Sequence, residues 1–261
     1  MERNLTTGSI WKNIFYFSLP YLLSYFLQTL YGMADLFIIG QFEGAAGTTA
    51  VSIGSQVMHM ITVIIVGLAM GTTVSIAQAV GAKDKKQASR CTGNTITLFL
   101  GVSVVLMVIL LLLVKPIVLV MSTPSEAVSG TVAYLTICFI GIPFITEYNI
   151  ISSIFRGLGD SKSPMYFIAV ACAANIALDY LFMGALHLGP SGAALGTTLS
   201  QTLSVILALI AIRKRDTGIR LTRSDLSPQT AVMGQILKIG VPIALQDGFI
   251  QIAFIAGKMV E

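Results

Sequence analysis

The sequence is poor in charge. Asp, Glu, Lys and Arg make up 11% of its 261 residues, and no Lys or Arg lies between Lys12 and Lys83. A soluble domain carries about a quarter charged residues, so this scarcity, with 55% hydrophobic residues and a mean hydropathy of +0.84, excludes an ordinary water-soluble fold. Cysteine is rare and odd in number. Cys91, Cys138 and Cys172 lie in or beside apolar stretches with no C-x-x-C spacing and no neighbouring His, which argues against metal and leaves them as small buried apolar residues. His59 and His187 are too far apart for a metal-ligand spacing and fit packing or interfacial roles. The Gly-rich turn Arg156-Gly-Leu-Gly-Asp160 follows an apolar run and lacks the Lys-Ser or Lys-Thr of a phosphate loop, which excludes nucleotide binding there. Residues 1–13 lack a short apolar core ending in a small-residue cleavage site, so the first apolar stretch is expected to remain as a helix.

Long apolar runs fill the place of charge. A membrane span needs about 20 mainly apolar residues, and such runs lie near 14–39, 50–79, 94–114, 131–154, 165–187 and 193–212, with a seventh from 236. The third is the clearest, with no charged residue between Arg90 and Lys115. Pro20, Pro143 and Pro242 fall within spans, where proline marks a kink or a packing site. The expected fold is therefore an all-α integral membrane protein. A six-helix transmembrane lobe occupies residues 1–212, a basic linker 213–235, and the first helix of a second lobe 236–261.

Placing the N-terminus in the cytoplasm puts 14 of the 16 basic residues on the inner side and leaves only Lys115 and Lys258 toward the outside. That asymmetry explains the net charge of +4 without nucleic acid as a partner. The run Ile14-Phe-Tyr-Phe-Ser-Leu-Pro20 is echoed by Ile236-Leu-Lys-Ile-Gly-Val-Pro242, each a helix entering the membrane with proline in its second turn. Repeated bundles are a common plan of secondary transporters. A second copy would need about 200 further residues, so the chain is expected to be truncated and its C-terminal lobe missing.

Acids inside spans are costly, by roughly 2.5–3.5 kcal/mol on insertion scales, and normally face a cavity, an ion or a proton path. Asp35, Glu147, Asp179 and Asp247 occupy such positions. Asp35 in the first span and Asp179 in the fifth fall at a shared depth toward the outside. Asn175 lies four positions before Asp179, on one helical face with it, and Thr197 and Thr198 enter the sixth span at a comparable depth. Two carboxylates, an amide oxygen and a hydroxyl suit a hard cation such as Na⁺, or a pair that takes up a proton. Glu147, followed by Tyr148 and Asn149, either lines an inner substrate cavity or reaches the interface as a solvated residue. Asp247 sits in the seventh span. Gly67-x-x-x-Gly71 and Gly192-x-x-x-Gly196 have the spacing that lets helix backbones approach closely.

In order along the chain, Thr29-Leu-Tyr-Gly-Met-Ala-Asp35-Leu-Phe-Ile-Ile-Gly40, Gly67-Leu-Ala-Met-Gly71, Gln78-Ala-Val-Gly81, Ile154-Phe-Arg156-Gly-Leu-Gly159-Asp160-Ser-Lys-Ser-Pro164, Asn175-Ile-Ala-Leu-Asp179-Tyr and Gly189-Pro-Ser-Gly192 leading to Thr197 form one pattern. With them the sequence resembles the multidrug and toxic compound extrusion family of cation antiporters. The resemblance implies twelve helices in two lobes, and export of small organic cations across the plasma membrane driven by inward Na⁺ or H⁺, with no enzymatic step and no cofactor beyond the coupling ion. It implies a cation site at Asp35, Asn175, Asp179 and Thr197, and a first helix that bends about Pro20. Two departures from the family pattern are Glu147, where an uncharged residue is expected, and Asp247, where a neutral polar one is commoner. A lipid or glycan-precursor flippase of related fold would carry more basic residues in its cavity, whereas the intramembrane charges here are acidic. A truncated product that folds but transports nothing is the remaining alternative.

Overall fold

The computed structural model describes residues 8–214, 222 and 224–260, and among them there are helices and turns but no strand. Helix α1 runs Ile10–Phe42, α2 Ala45–Gly81, α3 Lys85–Val120, α4 Val128–Ile140, α5 Ile142–Gly157 and α6 Lys162–Asp179. A π-helical segment, Tyr180–Ala185, continues α6, and α7 (Gly189–Lys214) and α8 (Thr230–Val260) follow. Helices are the expected answer to these apolar runs, because each satisfies its own backbone where water is absent. Six helical stretches are long and apolar enough to cross a membrane, and the α4–α5 pair makes a seventh span, bent by 50°. The bend has a local cause. Pro143 stands in the first turn of α5, where its missing N–H is harmless, and Gly141 at the break packs against the Thr198 side chain of α7. Pro20 and Pro242 lie inside helices that continue past them.

The bundle is apolar outside and buries many small polar side chains among its apolar core residues, unlike a soluble protein with its polar surface. Trp11, Phe15, Phe26, Leu112, Leu119 and Phe249 are exposed, whereas Thr72, Asn94, Thr95, Ser103, Ser152 and Ser153 are buried. Exposed apolar area on that scale needs lipid or a further protein surface against it. The main core lies between α2, α3 and α4 around Tyr134, Leu135, Phe139 and Ile142. Cys91, Cys138 and Cys172 are free and buried, as small apolar residues would be.

Side-chain caps fix the starts of α3 and α6. The Asp84 carboxylate accepts from the Gln87 N–H at 2.9 Å to cap α3. Asp160 accepts from the Lys162 and Ser163 N–H groups, each at 3.0 Å. The α6 N-terminus that a phosphate would seek is therefore already occupied by the protein's own carboxylate.

Helix α8 packs intimately on α2. Gly67 abuts the Ala244 backbone, Gly71 the Ile236 carbonyl and Gly240 the Leu68 carbonyl, so any side chain at these glycines would press on main chain that cannot give way. Gly67 and Gly71 thus do pack a helix closely, and that helix is α8. The segment before α8 is also held. Asn94 donates through Nδ2 to the Asp225 carbonyl at 3.2 Å, its Oδ1 accepts from the Gln229 N–H at 2.7 Å, and Thr97 donates to the Leu226 carbonyl at 2.8 Å. The absence of a side chain at Gly93 lets the Asp225 backbone lie directly on α3. Two donations from Thr222, by hydroxyl and by N–H, hold the Asp225 carboxyl below the usual carboxylate range and tighten the turn. Of the basic residues assigned to the inner side, Arg3, Arg215, Arg220 and Arg223 lie outside the described residues.

Replacing Asn94 by Ala removes both bonds and leaves the Gln229 N–H without its acceptor, which should cost about 1–3 kcal/mol. Thermal unfolding in detergent should show a lowered Tm; an unchanged Tm would mean that the clasp contributes nothing.

Candidate functional site

Three helices converge on one buried acidic pair. Asp35 enters from α1 and is 2% exposed, Asp179 ends α6 and is fully buried, and Asn175 lies one turn earlier on the same face of α6. Thr197 of α7 donates its hydroxyl to Asp35 Oδ2 at 3.2 Å. Asp179 and Asn175 lie beside Asp35, yet neither completes a bond with it. Asp35 Oδ1, both Asp179 carboxyl oxygens and both polar atoms of the Asn175 amide are buried without a hydrogen-bond partner among the described residues. Ionised carboxylates only accept, so two of them side by side remain unsatisfied until a proton or a cation lies between them.

Local sequence accounts for the convergence. Gly196 precedes Thr197, and a methyl group there would run into Asp179 Oδ1 and approach Asn175 Nδ2. The glycine therefore leaves the space in which the Asp179 carboxyl sits. Directly after Asp179 the helix widens into its π segment, a geometry that recurs at functional sites because it re-aims neighbouring side chains. That segment is held by Tyr180 edge-on to Phe42 at 6.1 Å, and by Gly184 against the same Phe42 ring.

Beside the pair lies a cavity of about 410 Å³ whose wall includes Asp35, Thr197, Tyr31, Gln28, Gln201 and Asn149. A second cavity of about 300 Å³, lined by Tyr21, Tyr148, Asn149, Arg156 and Asp247, shares Gln28, His59 and Asn149 with the first. Of the three residues expected at a substrate cavity, Tyr148 and Asn149 line these spaces. Glu147 is half-buried and belongs to neither lining, because it sits about 100° around α5 from Tyr148, on the far side from Asn149. His59, expected as a packing or interfacial residue, lines both cavities and meets Gln251 Nε2 at 3.4 Å.

Sequence reading missed Tyr31, Gln201 and the role of Gly196. Two of these carried a signal. Gln28, Tyr31 and Asp35 form a polar stripe at helical spacing in an apolar helix, and Gln201 stands one turn after Thr197. Nothing in the sequence distinguishes Gly196 from a packing glycine.

The unpartnered atoms decide the chemistry the site can support. Asp35 Oδ1, the Asp179 oxygens and Asn175 Oδ1 are all hard oxygen donors, a set that fits a small monovalent cation or a shared proton and does not suit a soft metal. Replacing Gly196 by Ala should force Asp179 aside and cost about 1–3 kcal/mol in overpacking. The check is the Tm of the variant in detergent, and a value equal to the parent's would show that the site has room to spare.

Residues 20–181 match the family model described as MatE. The chain is 31% identical over 244 residues to "Probable multidrug resistance protein YpnP" of Bacillus subtilis, covering 93% of this chain and 54% of that one. It is 28% identical over 240 residues to "Probable multidrug resistance protein NorM" of Thermotoga maritima, covering 90% and 51%. Among solved structures it is similar to one described as "Crystal structure of MATE in the bent conformation", with a TM-score of 0.87 and 30% identity over 92% of this chain and 54% of that chain. The counterpart "in the straight conformation" gives a TM-score of 0.83 at the same identity and coverage. The chain spans about half the length of the curated relatives it matches. With the family model covering more than half of its residues, the chain belongs to the MatE family.

Proposed function

We propose that this chain forms the ion-binding half of an antiporter that exports organic cations by alternating access, driven by inward flow of Na⁺ or H⁺ across the plasma membrane. The observation that carries the reading is the Asp35–Asp179 pair, two buried carboxyls that lie beside a cavity and have the Thr197 hydroxyl as their one hydrogen-bond donor among the described residues. Asp35, Asp179, Asn175 Oδ1 and the Thr197 hydroxyl would hold the coupling ion. Relatives described as multidrug resistance or export proteins support the class of solute.

Coupling requires that ion binding favour one conformation over another. Pro20 supplies the mechanical element in α1, since it donates no N–H to the carbonyl one turn before it. On the other side of the proline, Ser24 donates its hydroxyl to the Pro20 carbonyl, at 2.8 Å. Solved relatives described as in the bent and in the straight conformation support a protein with two forms. Neutralising the pair by ion or proton would lower the cost of drawing α1 and α6 together, and release of the ion would restore their repulsion. That alternation is the proposed switch.

Replacing Asp35 by Asn removes one charge and keeps the shape. In everted vesicles with an imposed Na⁺ or H⁺ gradient, dye export by D35N should fall about tenfold or more relative to the parent. Full gradient-dependent export by D35N would sink the assignment. The orientation is tested separately by cysteine labelling, since the native thiols are buried. A membrane-impermeant thiol reagent should label E126C in intact cells and K85C only after permeabilisation, both positions being exposed turn or helix-end residues. The opposite pattern would place the N-terminus outside.

A further inference from the structure

Helix α1 is held beside its proline by a helix whose backbone it does not meet. Of the α1 residues before Asp35, Pro20 alone is buried, while Ile10, Trp11, Ile14, Phe15 and Leu19 face outward. Contacts close to the proline therefore set where the N-terminal part of α1 points. Among the described residues no α-carbon of α1 lies within 8 Å of one in α5, so a link between the two needs a long side chain. Arg156 supplies one. From the last turn of α5 its guanidinium carbon comes to 5.3 Å from the centre of the ring of Tyr21, the residue directly after Pro20.

The α5 end of this link is firmly anchored. Arg156 donates from one terminal nitrogen to Ser153 Oγ at 2.8 Å. The Ser153 carbonyl accepts from the Thr73 hydroxyl of α2 at 3.2 Å, and a methyl group at Gly157 would run into the Ile76 side chain and the Thr73 carbonyl. The last turn of α5 is thus seated on α2, and Arg156 projects from it as an arm with a fixed origin. Its Nε is buried without a hydrogen-bond partner, and among the described residues no carboxylate pairs with it. A forked Arg–carboxylate pair would be a strong fastening, whereas a cation on an aromatic face is strong enough to bias a population and weak enough to release.

We propose that Arg156 is a positioning residue, whose guanidinium rests on the Tyr21 face to hold the N-terminal part of α1 in the arrangement seen here and lets go when that part swings about Pro20. The inference rests on reading α1 as the element with two forms, and it depends neither on the solute nor on which ion drives export. A charge that served only the α5 dipole or the orientation of the chain would be replaced equally well by lysine and would be indifferent to Tyr21.

The test is the distance between spin labels on K12C and K162C, two exposed positions on α1 and α6, in the full chain in nanodiscs, the native thiols being buried. In the parent one separation should dominate. In R156Q and in Y21L the ratio of the other separation to it should rise about fivefold, the bias that one cation–π contact supplies. Y21F keeps the aromatic face and should retain the parent ratio, and R156K should retain part of the bias. Both single changes cut the same contact, so R156Q/Y21L should match either one alone. A parent-like ratio in Y21L overturns the proposal, as does a shift in Y21F equal to that in Y21L, or effects that add in the double variant. If R156Q does not fold, Y21L against Y21F decides the matter by itself. The ion-driven switch is judged separately by titrating Na⁺ and pH. A parent ratio that ignores both while Y21L still shifts leaves the bridge standing and sinks the switch; a ratio that responds to ions identically in parent and Y21L does the reverse.

Discussion

Two carboxyl groups held side by side out of water are the constraint around which the rest of this bundle is arranged. Removing such groups from solvent costs several kcal/mol per ion even after relaxation, and packing alone cannot compensate two like charges. Helices α1, α6 and α7 must meet at one point for Thr197 to reach Asp35 while Asn175 and Asp179 complete the wall. Gly196 and the π segment after Asp179 are local concessions to that meeting point, one removing a side chain and the other widening a helix. The unpartnered oxygens are what remain unmatched within the protein itself.

A different physics governs α8. Its seam with α2 is founded on glycines against main chain, joined by the Ile64 side chain on Gly248 and the His59–Gln251 contact, so much of its strength comes from dispersion at close range. The contrast with α1 is informative. Helix α1 carries the functional carboxylate yet leaves Trp11, Phe15, Phe26 and Phe37 exposed along its length. Helix α8 likewise exposes Leu245, Phe249, Ile252 and Phe254, so what sets it apart is the face that lies main chain to main chain on α2.

Much of this was legible in the sequence because membrane helices announce themselves by length and apolarity. The seven spans appear near the expected boundaries, and Asp35, Asn175 and Asp179, chosen by depth and helical spacing, come together with Thr197, which the family resemblance singled out from Thr198. What was not legible depends on facing rather than depth. Adjacent residues on a helix differ by about 100°, so Tyr148 and Asn149 line cavities while Glu147 does not, and no one-dimensional pattern in a mixed segment decides which. The 50° bend at Gly141 required knowledge of Thr198 on another helix. The π segment has no composition that separates Tyr-Leu-Phe-Met-Gly-Ala from an ordinary helical turn.

The clasp of Asn94 and Thr97 on the segment before α8 bears on the order in which the protein is assembled. When α3 is already in the membrane, the chain that satisfies these two side chains has not yet been synthesised, being 129 to 135 residues further on. Until residues 225–229 arrive, the N-terminal part of α3 offers a ready-made set of polar groups and a bare glycine to water. The first bundle would thus hold a vacant berth until insertion of the seventh span, α8, closes it. Helix α8 would then be guided onto α2 from an anchored base rather than by free diffusion within the bilayer.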